Sequence, residues 1–349
     1  MERLLNSKYS FNMAEETFNE YGKEQAIDLL YEGSGFSRRG GISFVPDQGA
    51  SVRTAARVFA EGTDFDLTYF PLKHLGYKCT VAVTGELYAA MSHPRLLNVI
   101  LGVSAKLDFP QVRDIWSGIL TAAGEHGYKD VALDLVPSRN GLLISVSAAG
   151  EETKATKDGR TAARSMDLIC ISGRLGAAFL GQQILERENR KFARTKDDSV
   201  QPDLEKYRML VGSYLKPELD ADVVSRLEEV QIYPSHGYFL TSGLSDALKR
   251  LVRSSGLGAK VYVDKIPFEG NSFAVGKELD IDPVSAAMNG GDDCQLLFTV
   301  PILSAEKFRR EFQTFTIIGH LAQPEVGAVL VSPDGLEHPV TAQGWKETE

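Results

Sequence analysis

Apolar and polar positions along this chain alternate between a strand-like and a helix-like pattern. Leu96 to Val103 is largely apolar and predicts a buried strand. Asp108 and Pro110 then open a helix in which Val112, Ile115, Trp116, Ile119, Leu120 and Ala123 recur at helical spacing. Leu142 to Ala148 returns to strand character, and Gly150 to Arg164 is polar, with few apolar anchors. The pattern restarts at Leu168 to Ser172, a buried strand, followed by the tight turn Gly173-Arg-Leu-Gly176 and a helix from Ala177 to Glu188. Residues 189–204 are charged and predict an exposed loop. Leu244, Leu248, Leu251 and Val252 form a helical stripe that Gly256 ends. Strands over Lys260 to Ile266 and Leu296 to Val300 and a helix over Ser304 to Phe315 complete the second half. The first ~55 residues are the least regular, and Gly33 to Gly41 reads as a loop. Strands and helices alternate in both halves, so the class is α/β or α+β. The polar stretch places a domain boundary there, giving domains 1–150 and 151–349.

The length of 349 residues fits two domains, and 43% hydrophobic with 24% charged residues is ordinary globular composition. A net charge of −9 disfavours nucleic acid and anionic membranes as partners, since both need a basic face. Cys79, Cys170 and Cys294 lie far apart without metal or redox spacing, which suggests reduced, buried thiols and fits the cytoplasm. Met1 to Tyr31 is polar and lacks the apolar stretch of a signal peptide. No apolar run reaches the ~18 residues of a membrane span.

Local chemistry is suggestive at three places. The turn at Gly173–Gly176 either holds phosphate on the backbone N–H groups of the next helix or is a plain tight turn. Asn289-Gly-Gly-Asp-Asp293 is either a pair of oxygen ligands for Mg²⁺ or an acidic turn. Asp134, at the end of an apolar strand, needs a cation or backbone donors as partner. The six histidines lack zinc spacing, and neither the phosphate-loop signature nor the dinucleotide glycine fingerprint occurs.

Taken together, the motifs resemble those of the thiamine-monophosphate kinases. The run from Glu61-Gly-Thr-Asp-Phe-Asp66 through Pro71 to Leu75-Gly-Tyr-Lys78 is similar to a family segment. Glu86-Leu-Tyr-Ala-Ala-Met91, Asp167 to Gly176, Ser242-Gly-Leu244, Met288 to Asp293 and Ala342-Gln-Gly-Trp345 follow in the family's order. The resemblance runs from about residue 57 to the C-terminus. It implies a two-domain fold like that of aminoimidazole-ribonucleotide synthetase, a homodimer built mainly by the first domain's strands, and ATP bound between the domains. It also implies ATP- and Mg²⁺-dependent phosphorylation of thiamine monophosphate to thiamine diphosphate.

Carried over residue by residue, the resemblance places Asp134, Arg160 and Thr241 at the nucleotide. It places Glu86 and Asp134 at metal, and Asp64, Asp292 and Trp345 at the substrate; no catalytic residue is assigned. The departures fall on the metal ligands. Pro46 to Ser51 replaces an acidic loop and retains only Asp47, and Arg57 stands where the family has an aspartate. Asp64 replaces a histidine, Ala132 and Leu133 replace glycines, and Phe239 and Ser242 replace two further aspartates. Phosphoryl transfer depends on positioning and charge neutralisation, so these changes predict reduced or lost Mg²⁺ binding and transfer. Arg57, Arg160 and Arg174 then offer fixed positive charge for a small phosphorylated ligand or nucleotide. An active kinase with fewer metals, another phosphoryl-transfer or ligase-type activity, and a non-catalytic regulatory dimer are the alternatives.

Overall fold

The computed structural model describes residues 22–38, 42–195 and 204–345. In chain order the first half contains α1 (Lys23–Tyr31), β1 (Ser51–Ala60), α2 (Leu72–Ala89), β2 (His93–Ser104), α3 (Phe109–Glu125), β3 (Asp130–Ser138), β4 (Leu143–Glu152) and α4 (Lys154–Gly159). The second contains β5 (Leu168–Ile171), α5 (Ala177–Thr195), α6 (Arg208–Leu215), α7 (Val223–Glu229), β6 (Gly237–Phe239), α8 (Leu244–Ser255) and β7 (Gly258–Tyr262). It continues with α9 (Ser272–Leu279), α10 (Pro283–Asn289), β8 (Leu296–Val300), α11 (Ala305–Glu311), β9 (Thr316–Ala322), β10 (Ala328–Val331) and β11 (Glu337–Pro339). The first four strands form one sheet in the order β1-β4-β2-β3; the other seven form a second, β11-β10-β7-β9-β5-β8-β6. No helix among the described residues is long and apolar enough to cross a membrane.

Several elements differ in extent from the sequence pattern. Helix α5 runs seven residues past Glu188 to Thr195, where the pattern predicts a loop; Arg187 and Lys191 pair with Glu188 on its surface. The strand expected over 260–266 ends at Tyr262 in a single 3₁₀ turn, and α11 stops at Glu311, with Phe312 buried beyond it. The polar stretch after 150 contains the end of β4 and the short helix α4. Asp108 caps α3 as its sequence suggests, accepting from Gln111 N–H while Gln111 answers its backbone.

The first sheet buries one face only. Phe59, Val99, Leu101, Val131, Ile144 and Val146 point under α2 and α3. Side chains alternate along a strand, so the register row Val58–Ser145–Ile100–Asp134 crosses all four strands on the opposite face. That face mixes aliphatic side chains with Ser145 and the Asp134–Lys23 pair. Val58 is 59% exposed, Ile100 44% and Val136 38%, so β2 is buried on one side only.

Helix α2 is covered on nearly every side. Leu75, Cys79, Ala82, Val83 and Leu87 join the core under the first sheet. Tyr77, Val81 and Tyr88 join Cys170, Leu296 and Phe298 on the second. Two glycines allow the close approach. A Cβ on Gly237 would lie 2.0 Å from the Ala89 carbonyl oxygen, and one on Gly85 would lie 2.3 Å from the Phe239 ring. Polar groups also cross the seam. Glu228 of α7 accepts from the Thr153 and Thr156 hydroxyls at 2.8 and 2.5 Å and lies 2.9 Å from His93 Nε2. Burial opposes its charge, but these hydrogen bonds prevail and hold its carboxyl down to about 2.

The Gly85–Phe239 contact gives a double-mutant test. Phe239→Ala should destabilise by about 3–5 kcal/mol through the cavity it leaves, and Gly85→Ala by about 1–3 kcal/mol through overpacking. In the double variant the new methyl faces the vacated ring site. Urea unfolding should therefore show a loss at least ~1 kcal/mol smaller than the sum of the single losses.

Candidate functional site

The loop 61–70 of the first half faces α5 and α6 of the second. Within it, Asp66 accepts from Thr68 N–H and Oγ1, and Asp64 accepts from Ala60 N–H at 2.9 Å. These local bonds form the bend from β1 into α2. Between this loop and α5 opens a cleft of about 290 Å³, close to the lower end of small-molecule sites. Its wall on the loop side includes Thr63, Asp66 and Tyr69; on the helix side Gln182, Glu186 and Arg190 contribute. Tyr69 is pushed up to about 12 by burial and by the neighbouring Glu186 and Asp66 charges, so it stays a neutral donor. The α5 residues recur at spacings of four, a polar stripe visible in the sequence but missed there because 189–204 reads as a loop.

Deeper in the seam, Lys78 is 4% exposed. Its Nζ lies 3.0 Å from Asp292 Oδ2 and 3.7 Å from the centroid of Tyr214, a residue of α6. A buried ammonium requires such partners. Asp292 has φ +60°, and its N–H bonds the Thr241 carbonyl at 3.1 Å, fixing the acidic turn against the loop after β6. Asp293 points the other way. It accepts from Gly176 and Ala178 N–H at 2.8 and 3.3 Å, at the start of α5. The helix start that could hold a phosphate thus already holds a carboxylate from the chain itself. Burial pushes Asp293 up to about 7, against these two amide bonds.

The remaining residues expected at a site are dispersed. Asp134 lies on the outward face of β3, half exposed, ion-paired with Lys23 and accepting from Leu135 N–H, and the Lys23 bond lowers its pKa. Glu86 is on α2, on the other side of that sheet. Burial pushes its carboxyl up, opposed by Arg250 and Arg57. Arg57 lies 3.9 Å from Asp64 and covers the Phe59 ring. Arg160 meets buried Glu152 at 2.9 Å and donates to the Ala90 carbonyl. Trp345 donates to Asp246 on α8 at 2.9 Å, and Asp246 also pairs with Arg250. Phe239 is buried and Ser242 is exposed at the turn into α8. Asp47 binds Glu151 through its N–H. Arg174 pairs with Glu269 at the surface. All three cysteines are free and buried.

These residues do not fit a Mg²⁺ centre within one chain. Among the described residues no three His, Cys, Asp or Glu side chains group to hold a metal ion. Mg²⁺ needs near-octahedral oxygen donors. Glu86 faces guanidinium groups, Asp292 an ammonium, Asp293 two amides, and Asp134 lies across the sheet.

Two sheets joined through one buried helix, with a cleft at the seam, make this a two-domain α/β protein with an aminoimidazole-ribonucleotide synthetase-like fold. The chain is similar to thiamine-monophosphate kinases. It is 25% identical over 285 residues to "Thiamine-monophosphate kinase" of Aquifex aeolicus, a match covering 80% of this chain and 86% of that one. The solved structure "AaThiL complexed with AMPPCP and TMP" superposes with a TM-score of 0.68 at 22% identity, covering 94% of this chain and all of that one. E. coli HypE gives the same TM-score at 12% identity, covering 93% of this chain and 98% of HypE, so the fold is shared with a differently named protein. No protein-family model matches the chain.

The Asp293 cap has a pH consequence. The unfolded carboxyl titrates near 3.8 and the folded one near 7, so folding favours the protonated form. The wild-type chain should lose stability between these values as pH rises, at up to roughly 1.4 kcal/mol per pH unit from this group. Asp293→Asn should lack that slope, so the difference in urea midpoint between the two proteins should shift in favour of the variant from pH 5 to pH 7.

Proposed function

We propose that this protein is a thiamine-monophosphate kinase-like protein that binds a thiamine-type ligand at the seam, with ATP-dependent phosphoryl transfer reduced or lost. The observation that carries this reading is the engagement of Asp134, Asp292 and Asp293 by the chain's own cations and amides. Transfer between two phosphorylated substrates gathers negative charge that metal or fixed cations must neutralise. Phe239 adds a packed ring where the resemblance implies an aspartate. Thr241, Arg160 and Asp134 remain the positions nominated for nucleotide, and Asp64, Asp292 and Trp345 those for substrate. Asp66, Glu186 and Tyr69 extend the substrate side. An acidic, aromatic-walled cleft suits a flat cationic ring, such as the thiazolium of thiamine. The complex of AaThiL with AMPPCP and TMP supports nucleotide and thiamine monophosphate as the ligand classes. The buried thiols are consistent with the cytoplasm as its place of action.

Incubation with ATP, Mg²⁺ and thiamine monophosphate should yield no thiamine diphosphate at a turnover near ~1 s⁻¹; such turnover would overturn the loss of transfer. Calorimetry should nevertheless detect thiamine monophosphate. Combining Asp66→Asn with Glu186→Gln should weaken binding about tenfold, as expected for two charged contacts. Failure of the wild-type chain to bind would sink the ligand assignment.

The exposed face of the first sheet supports a homodimer, because Val58, Ile100 and Val136 leave apolar surface on it, as at association sites. Light scattering at micromolar concentration should give twice the 38.2 kDa chain mass. Val58→Arg with Ile100→Arg should give a folded monomer.

A further inference from the structure

A second cleft, of about 530 Å³, lies on the second half at the start of β9 and shares no lining residue with the seam cleft. Lys265, from the 3₁₀ turn after β7, and Arg309, from α11, stand on its walls with Gln313 and Thr316. Its apolar lining is Phe308, Phe315 and Ile317. Phe315 stacks on Phe298 with centroids 6.0 Å apart and meets Phe308 edge-on at 5.5 Å, so the aromatic floor is supported from below.

The charge here runs against that of the whole chain. The protein carries 47 acidic and 38 basic side chains, yet no carboxylate lines this cleft. Two neighbouring acids are engaged elsewhere: Glu311 pairs with Arg310 and Glu337 with Lys260. Asp264 and Glu306 are exposed and outside the lining. The Lys265 ammonium sits 4.5 Å from the Tyr262 ring centroid, and neither it nor Arg309 forms an ion pair among the described residues. Burial and the charges of Lys260 and Lys265 lower the pKa of nearby His320, consistent with a locally positive surface.

We propose that this cleft is a second ligand site, for a small anion carried on a planar ring, such as an aryl phosphate. Arg309 and Lys265 face the anion, Arg309 offering a forked donor. Gln313 and Thr316 supply neutral hydrogen bonds, and Phe315 supplies the ring contact. The volume falls within the range of small-molecule pockets. This site goes beyond the seam reading and does not depend on it.

Calorimetry of the full chain at low salt, with phenyl phosphate, inorganic phosphate and benzyl alcohol as probes, tests the proposal. One phenyl phosphate per chain should bind, about tenfold or more tighter than either half-probe. The double variant K265E/R309E should lose about tenfold or more in affinity, as removal of two charge-assisted contacts requires. R190A, in the seam cleft, should leave phenyl phosphate binding unchanged. Both substituted positions are exposed, and K265Q/R309Q serves as a milder pair should the charge reversal unfold the chain. Absence of binding at millimolar phenyl phosphate, or binding that survives both double variants, overturns the site. Loss on R190A alone would assign the binding to the seam instead, and equal affinity for inorganic phosphate would remove the ring from the ligand class.

Discussion

The Lys78–Asp292 ion pair is the interaction around which the seam is organised. An ammonium buried on a helix between two sheets must meet a counter-charge inside the protein, because water cannot reach it. Asp292 supplies that charge from the other half of the chain, and Tyr214 supplies a ring face. Removing either ion would strand the other, so the pair fixes how the turn after α10 sits against α2. The turn in turn positions Asp293 on the first N–H groups of α5. Loop, central helix and capped helix are thereby held in one arrangement, and the seam cleft is the gap they leave.

The same arrangement underlies the proposal that phosphoryl transfer is reduced or lost in this chain. A metal-dependent site keeps its carboxylates underused until the metal and phosphate arrive. Here Asp134, Asp292 and Asp293 are already satisfied by groups of the chain itself. Burial pushes the Glu86 carboxyl up despite nearby Arg250 and Arg57, and Phe239 packs its ring against Gly85. The consequence is a seam well packed for binding and poorly supplied with free oxygen ligands. That balance supports the proposed reduction or loss of phosphoryl transfer.

The two clefts differ in chemistry for a local reason. Along α5, Glu186 faces a loop that itself carries Asp66, so the seam cleft is acidic and aromatic. At the start of β9, Glu311 and Glu337 pair with Arg310 and Lys260, no carboxylate lines the cavity, and Lys265 and Arg309 form no ion pair among the described residues. A net charge of −9 is therefore an average over surfaces of opposite character.

Sequence by itself determined the alternation of strands and helices, the capped start of α3, the glycine end of α8 and the order of kinase-like motifs. Those are local or linear signals, carried by side-chain period and backbone preference. It also marked where expected ligands were missing, since a phenylalanine or arginine cannot become a carboxylate. It did not reveal that α5 continues past Glu188, because a charged helical surface and a charged loop have the same composition. It left open whether the acidic turn at 292–293 binds metal, and whether the turn at 173–176 binds phosphate. Tertiary structure gave both turns partners from the chain itself, by bringing residues more than a hundred positions apart within hydrogen-bonding distance. It also placed Asp134 and Glu86 on opposite sides of one sheet. A two-residue strand period fixes which side chains share a face, but only the packing of α2 says which face looks into the protein.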